Sequence, residues 1–205
     1  MSRRRLSPQP LQTWCDMRQI SPSIKAHSPT AQQLLPMFSG AHLHLLVNHA
    51  PIFGSLFALA LLIASYFTSA DVLRRTAFVV LVGTAIAGAA ADLSGDAAEE
   101  AVHGLPGVRR ELIQAHSHMG DKAYILAIVL GVLALIALVR WRRRPVPAGA
   151  TLAAVLATAF VGGAFAYTAL LGGQIRHTEV RPGATAADAM IIEPPRPRRP
   201  PPTGK

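Results

Sequence analysis

The chain has 205 residues, of which 51% are hydrophobic and only 15% are charged. This composition is too apolar and too poor in charge for a typical soluble domain. The net charge of +9 comes from basic residues in the tails and short connections beside apolar runs, so membrane topology explains it better than nucleic-acid binding. The single cysteine, Cys15, excludes an internal disulfide and haem attachment through a Cys-x-x-Cys-His motif.

The chain begins with a polar, proline-punctuated stretch, residues 1–36, which is predicted to be a disordered N-terminal tail. The arginines at positions 3–5 are not followed by the short apolar core of a signal peptide. Met37 stands directly before the first apolar run. Translation starting at Met37 instead of Met1 is therefore a hypothesis.

Four apolar segments follow, at residues 42–67, 76–92, 123–141 and 149–171. Each is close to the roughly 20 residues that cross about 30 Å of hydrocarbon. Inside lipid the backbone must satisfy its own hydrogen bonds, so the segments are predicted to be helices. The prediction is an all-α, four-transmembrane-helix bundle over residues 37–180, followed by a proline- and arginine-rich disordered tail at 181–205.

The charges of the connections predict the orientation. The third connection is the most basic, with four arginines at positions 140–144, and the first carries Arg74 and Arg75 against one acid, Asp71. The second connection is rich in Asp and Glu. By the positive-inside rule, both termini and the second connection lie on the outer, periplasmic side of a bacterial inner (cytoplasmic) membrane.

The histidines gather at that outer end of the predicted bundle. His27 alone lies elsewhere, in the N-terminal tail; the others are His42, His44, His49, His103, His116, His118 and His177.

Within the first segment, His42 and His49 share one helix face, while His44 and Asn48 share another. Pro51 is expected to disturb the helix here, because proline cannot donate a hydrogen bond to the preceding turn.

The second helix is predicted to continue beyond the membrane as an acidic extension. Asp92, Asp96, Glu99 and His103 follow a spacing that lines one face. The pair Glu100 and His103 matches one carboxylate-histidine step of a di-iron bundle, but that fold needs two such steps.

The third helix is predicted to begin, and the fourth to end, at the outer end of the bundle. Ser117, between His116 and His118, is expected to cap the start of the third helix. Gly172 and Gly173 are expected to cap the end of the fourth in the left-handed conformation.

Four stretches together resemble bacterial integral membrane proteins of the DUF2231 type. They are HLHLLVNHAPIFG (42–54), SGDAAEE (94–100), LPGV (105–108) with AH (115–116), and GGQIRHTE (172–179). The resemblance covers residues 40–180 and implies a four-helix membrane domain without a defined activity. The chain departs from the family pattern at Ala50, Asp96, Ser117 and Thr178, and His118 does not belong to the pattern.

The favoured function is a metal or haem site at the outer end of the bundle, with a redox or electron-transfer role. For haem b, His49 and His116 are the predicted axial ligands, and Arg109 and Arg176 the partners of the propionates. For non-haem iron, copper or zinc, mixed imidazole and carboxylate ligands are suitable. Those candidate ligands are His42, His44, His49, His116, His177 and Glu99.

The main alternative is a non-catalytic membrane accessory or scaffold subunit, in which the histidines form a structural polar cap. Enzyme activity has little support, since the sequence lacks a Gly-x-Ser-x-Gly elbow, a phosphate loop and a His-Glu-x-x-His pair. A transporter is less favoured, because four helices from one chain leave little room for alternating access, although a homodimer could supply it. The predicted partners are the lipid bilayer and a redox partner protein or a second copy of the chain, without nucleic acid.

Overall fold

The computed structural model describes residues 39–194. Its helices in chain order are α1 (Gly40–Val47), α2 (Ala50–Thr68), α3 (Asp71–Val102), α4 (Arg110–Arg140) and α5 (Ala148–Arg176). Two short 3-10 helices follow, Thr178–Val180 and Ala186–Met190, and the described residues contain no strand. The predicted all-α class is confirmed. Predictions for residues 1–36, Met37 and residues 195–205 lie outside the described residues.

Four helical spans are long and apolar enough to cross a membrane: α1 and α2 together, then α3, α4 and α5. Spans of 29 to 32 residues rise about 43–48 Å, so they exceed the roughly 30 Å of hydrocarbon. Large apolar side chains such as Leu46 and Phe67 point outward, as lipid contact requires. The fold is therefore that of a multi-pass membrane protein.

The first span is broken between α1 and α2, where Pro51 stands in the first turn of α2. Because proline has no N–H, it cannot donate to the carbonyl of Val47. α1 ends as the Asn48 N–H donates to the His44 carbonyl at 2.9 Å. The predicted disturbance is confirmed. α1 packs mainly against α3, whereas α2 packs against both α3 and α5.

Two predicted helix ends are wrong. α4 begins at Arg110, so Ser117 lies inside the helix instead of capping it. Residues 110–122 are polar and mixed in charge. A helix prediction based on the length of apolar segments therefore leaves them out. Likewise α5 continues to Arg176 through Gly172 and Gly173, neither of which has a positive φ. The predicted continuation of α3 beyond Asp92 is confirmed.

The four spans form a ring in which α3 lies between α2 and α4, and α5 lies between α4 and α2. Most side chains of the core are small or aliphatic: Ala58, Leu62, Ala77, Leu81, Ala123, Ala127, Ala134, Val161 and Ala164. A Cβ atom at Gly131 would stand 2.5 Å from the Cβ of Ala85. The close approach of α3 and α4 therefore depends on this glycine, as is common between membrane helices.

One end of the bundle, called the arginine end because it carries the basic 140–147 connection, is held by polar contacts. The Asp71 carboxylate accepts hydrogen bonds from Arg75 Nε at 2.6 Å and from the Val146 N–H at 2.7 Å. The Arg75 guanidinium also donates to the Trp141 carbonyl at 2.7 Å. These bonds tie the start of α3 to the connection between α4 and α5.

The opposite end, called the histidine end, is covered by residues 178–194, named here the C-terminal cap. Arg181 is only 9% exposed. Its guanidinium donates to the carbonyls of Gln174 (2.6 Å), Ile175 (3.0 Å) and Gly107 (2.7 Å). The first two carbonyls belong to the last turn of α5, where a helix lacks internal partners and carries partial negative charge.

The C-terminal cap also bonds to the connection between α3 and α4. The Gly107 N–H donates to the Ile191 carbonyl at 2.8 Å, and the Arg110 N–H to the Glu193 carboxylate at 3.2 Å. The predicted disordered tail, 181–205, therefore differs from the structure over residues 181–194. The reason is that these anchors are tertiary contacts, which proline and arginine content does not reveal.

Candidate functional site

His44 on α1 is held by α3. Its Nδ1 lies 2.9 Å from the carbonyl oxygen of Ala91 and 3.3 Å from the hydroxyl of Ser94. A carbonyl oxygen can only accept, so Nδ1 carries the hydrogen and donates it. In this tautomer Nε2 keeps its lone pair.

His116 on α4 repeats the arrangement against α5. Its Nδ1 lies 2.9 Å from the carbonyl oxygen of Thr168, so it too is the donor. The ring lies against Gly172, where a Cβ atom would stand 2.9 Å from its Cε1. The glycine of α5 thus makes room for the imidazole.

The two imidazoles belong to one region at the histidine end. Both side chains are partly buried. Among residues 39–194, neither Nε2 has a hydrogen-bond partner. Two lone pairs from two different spans are thus left for a ligand.

Asn48 lies one turn from His44 on the same side of the first span. Its side-chain oxygen Oδ1 is buried and has no hydrogen-bond partner among the described residues. Most buried polar atoms are paired, so an unpaired one calls for an explanation.

The other histidines of the described residues are exposed, and some of them bond to a nearby side chain. His49 precedes α2 and is exposed, and His118 is exposed on α4. His42 is exposed and its Nδ1 lies 2.7 Å from the hydroxyl of Ser39.

At the edge of the C-terminal cap, His177 lies 2.9 Å from Glu179. The pKa of Glu179 is lowered, because its carboxylate accepts hydrogen bonds from the backbone N–H of Glu179 and from the His177 side chain. His177 is therefore engaged with an exposed carboxylate at the surface.

Two carboxylates of the α3 extension, those of Glu99 and Glu100, line a separate cleft of about 610 Å³. Glu99 pairs there with His103 at 3.2 Å. The charged and polar residues that line the cleft are Glu99, Glu100, His103, Arg110 and Glu193. Neither His44 nor His116 lines it, so the cleft and the histidine pair are distinct.

The predicted propionate partners are exposed. Arg109 pairs with Glu111 at 3.2 Å, and Arg176 is the last residue of α5. Within residues 39–194, no group of three or more His, Cys, Asp or Glu side chains is arranged to hold a metal ion.

Three features of this site did not stand out in the sequence. Ser94 and the Ala91 carbonyl, which hold His44, lie far along the chain, and so does the Thr168 carbonyl that holds His116. The sequence signal for this site was the spacing of His44 and Asn48, because it places both on one helix face.

Comparison with protein-family models, curated proteins and solved structures gives no match, so the resemblance to the DUF2231 type stays a prediction.

Proposed function

We propose that this multi-pass membrane protein binds a transition-metal ion between His44 and His116 and uses it in electron transfer. One observation carries the proposal: each imidazole fixes its Nδ1–H on a backbone carbonyl of a neighbouring helix. Metal-binding histidines are typically oriented in this way, with the second ring nitrogen directed at the metal.

The donor chemistry limits the class of metal. Imidazole nitrogen is suited to copper, iron and zinc, whereas magnesium and calcium prefer oxygen. Copper and iron change oxidation state in proteins and zinc does not. We therefore favour copper or iron for a redox role.

Haem b ligation by two imidazoles is the related candidate. In the structure the imidazole of His116 itself lies against Gly172, so that glycine does not provide a face for a porphyrin. Arg109 and Arg176 are directed to the surface. These contacts favour a metal ion over haem, and an absorption spectrum separates the two.

The orientation follows from the arginine end. Arg140, Arg142, Arg143 and Arg144 are all exposed there. By the positive-inside rule we infer that this end faces the cytoplasm of a bacterium and that the histidine pair faces the periplasm.

A second candidate is a scaffold or accessory subunit without a metal. The observation that favours it is that both hydrogen bonds join helices: His44 ties α1 to α3, and His116 ties α4 to α5. Such bonds between membrane helices contribute about 0.6 to 2 kcal/mol each. The histidines would then stabilise the end of the bundle.

The test is metal content and absorption of the full chain, purified from cultures supplied with copper, iron or a haem precursor. We expect about one metal ion per chain in the wild type and loss of the metal in His44→Ala and His116→Ala. His118→Ala, an exposed histidine on the same helix as His116, is the matched control and should retain it.

Two results would change the conclusion. A Soret band in the wild type that disappears in His116→Ala would establish haem instead of a metal ion. A wild type without metal under every supplement, combined with lower stability of His44→Ala and His116→Ala, would establish the scaffold.

A further inference from the structure

The carboxamide of Asn48 is a polar group that the fold leaves unused. Its backbone N–H ends α1 by donating to the His44 carbonyl. Its side-chain Oδ1 is buried without a partner among residues 39–194. Burying such an oxygen without a hydrogen bond is costly, which points to a ligand at this position.

The height of Asn48 in the bundle follows from a contact between α2 and α5. A Cβ at Gly162 would stand 3.4 Å from the Cβ of Ser55, so these two residues share a level. Towards the histidine end, Asn48 is seven residues from Ser55, and Thr168 is six residues from Gly162. At 1.5 Å per residue these are rises of about 10 Å and 9 Å, which puts Asn48 level with Thr168.

Both imidazoles reach towards that level. His44 lies about one turn farther out than Asn48 on the same span. His116 lies about one turn farther out than Gly120, where a Cβ atom would stand 3.8 Å from Thr168 Cγ2. The His116 ring returns inward to bond the Thr168 carbonyl, and the His44 ring bonds the Ala91 carbonyl. The three side chains therefore occupy adjoining levels at the histidine end.

We propose that Asn48 Oδ1 is the third protein ligand of the metal held by His44 and His116. This inference rests on the proposed function and adds the donor that sets metal preference. The set is then two imidazole nitrogens and one amide oxygen, with water in the remaining positions. Nitrogen and oxygen donors suit divalent copper, iron, cobalt or zinc, whereas copper(I) prefers sulfur.

The experiment titrates Co²⁺ into the metal-free full chain in lipid nanodiscs, because the visible absorption of bound Co²⁺ reports its ligands. We expect the wild type to bind one equivalent. Asn48→Leu should bind at least about tenfold more weakly, since loss of even a supporting residue of a metal site costs 10- to 100-fold. Gln114→Leu is the matched control, because it removes an exposed carboxamide from α4 at the same end, and it should bind as the wild type does.

Asn48→Asp keeps the shape of the side chain and covers the case in which Asn48→Leu fails to fold. It should bind Co²⁺ at least as tightly as the wild type, with a shifted visible band, because a carboxylate replaces the amide oxygen. A wild type that binds no Co²⁺ would overturn the metal site altogether. Binding by the wild type, with unchanged affinity and spectrum in Asn48→Leu or an unchanged spectrum in Asn48→Asp, would overturn the role of Asn48 alone.

Discussion

Gly172 on α5 is predicted to set the position of the His116 imidazole. In Gly172→Ala the new Cβ would stand 2.9 Å from Cε1 and 3.0 Å from Nδ1 of His116, inside the roughly 3.5 Å of favourable contact. Moving the ring away from the new Cβ would weaken its bond to the Thr168 carbonyl, which is worth about 1 kcal/mol. Overpacking of this kind costs about 1–3 kcal/mol.

The matched control is Gly173→Ala, because a Cβ at Gly173 meets nothing within 4 Å. Both variants gain the same helix propensity, up to about 1 kcal/mol, so the difference between them isolates the contact with His116. We expect Gly172→Ala to be about 1–3 kcal/mol less stable than Gly173→Ala in denaturant titrations of the full chain in micelles. Equal stability, with unchanged imidazole NMR signals of His116, would refute the proposed packing.

Three further outcomes are expected. Asp71→Asn should lower the free energy of unfolding by about 1–3 kcal/mol, because a charged acceptor of two hydrogen bonds is lost. Hydrogen exchange at the Val146 amide should rise, and unchanged exchange would contradict the role of Asp71 in tying α3 to the connection between α4 and α5. Arg181→Met should expose the C-terminal cap to proteolysis while leaving the four spans helical by circular dichroism; a cap that stays protected would show that other contacts hold it. Hydrogen bonds from the backbone and side chain of Thr185 lower the pKa of Asp188 below its usual 3.8. These bonds therefore stabilise the C-terminal cap fully above pH 3.8, and the stabilisation is lost as the pH falls through the lowered pKa. In NMR titrations Thr185→Val should raise the pKa of Asp188, and an unchanged pKa would exclude the hydroxyl as a cause.

The choice among the histidines shows where sequence reasoning ends. Spacing separates the face of His44 and Asn48 from the face of His42 and His49, but it does not say which face meets another helix. In a soluble helix the apolar side marks the core, whereas in lipid both sides are apolar. Only the packing of α1 on α3 makes His44 the partly buried one and leaves His49 exposed.

The sequence alone determined the four helical spans, the break at Pro51 and the gathering of histidines near one end, because apolar length, proline chemistry and order along the chain are local properties. Tertiary structure decided where α4 begins, how residues 181–194 fold back, and which imidazoles are anchored. The carbonyls of Ala91 and Thr168 that anchor His44 and His116 lie 47 and 52 residues away along the chain. Every residue has such a carbonyl, so only the packing of helices selects the two that matter.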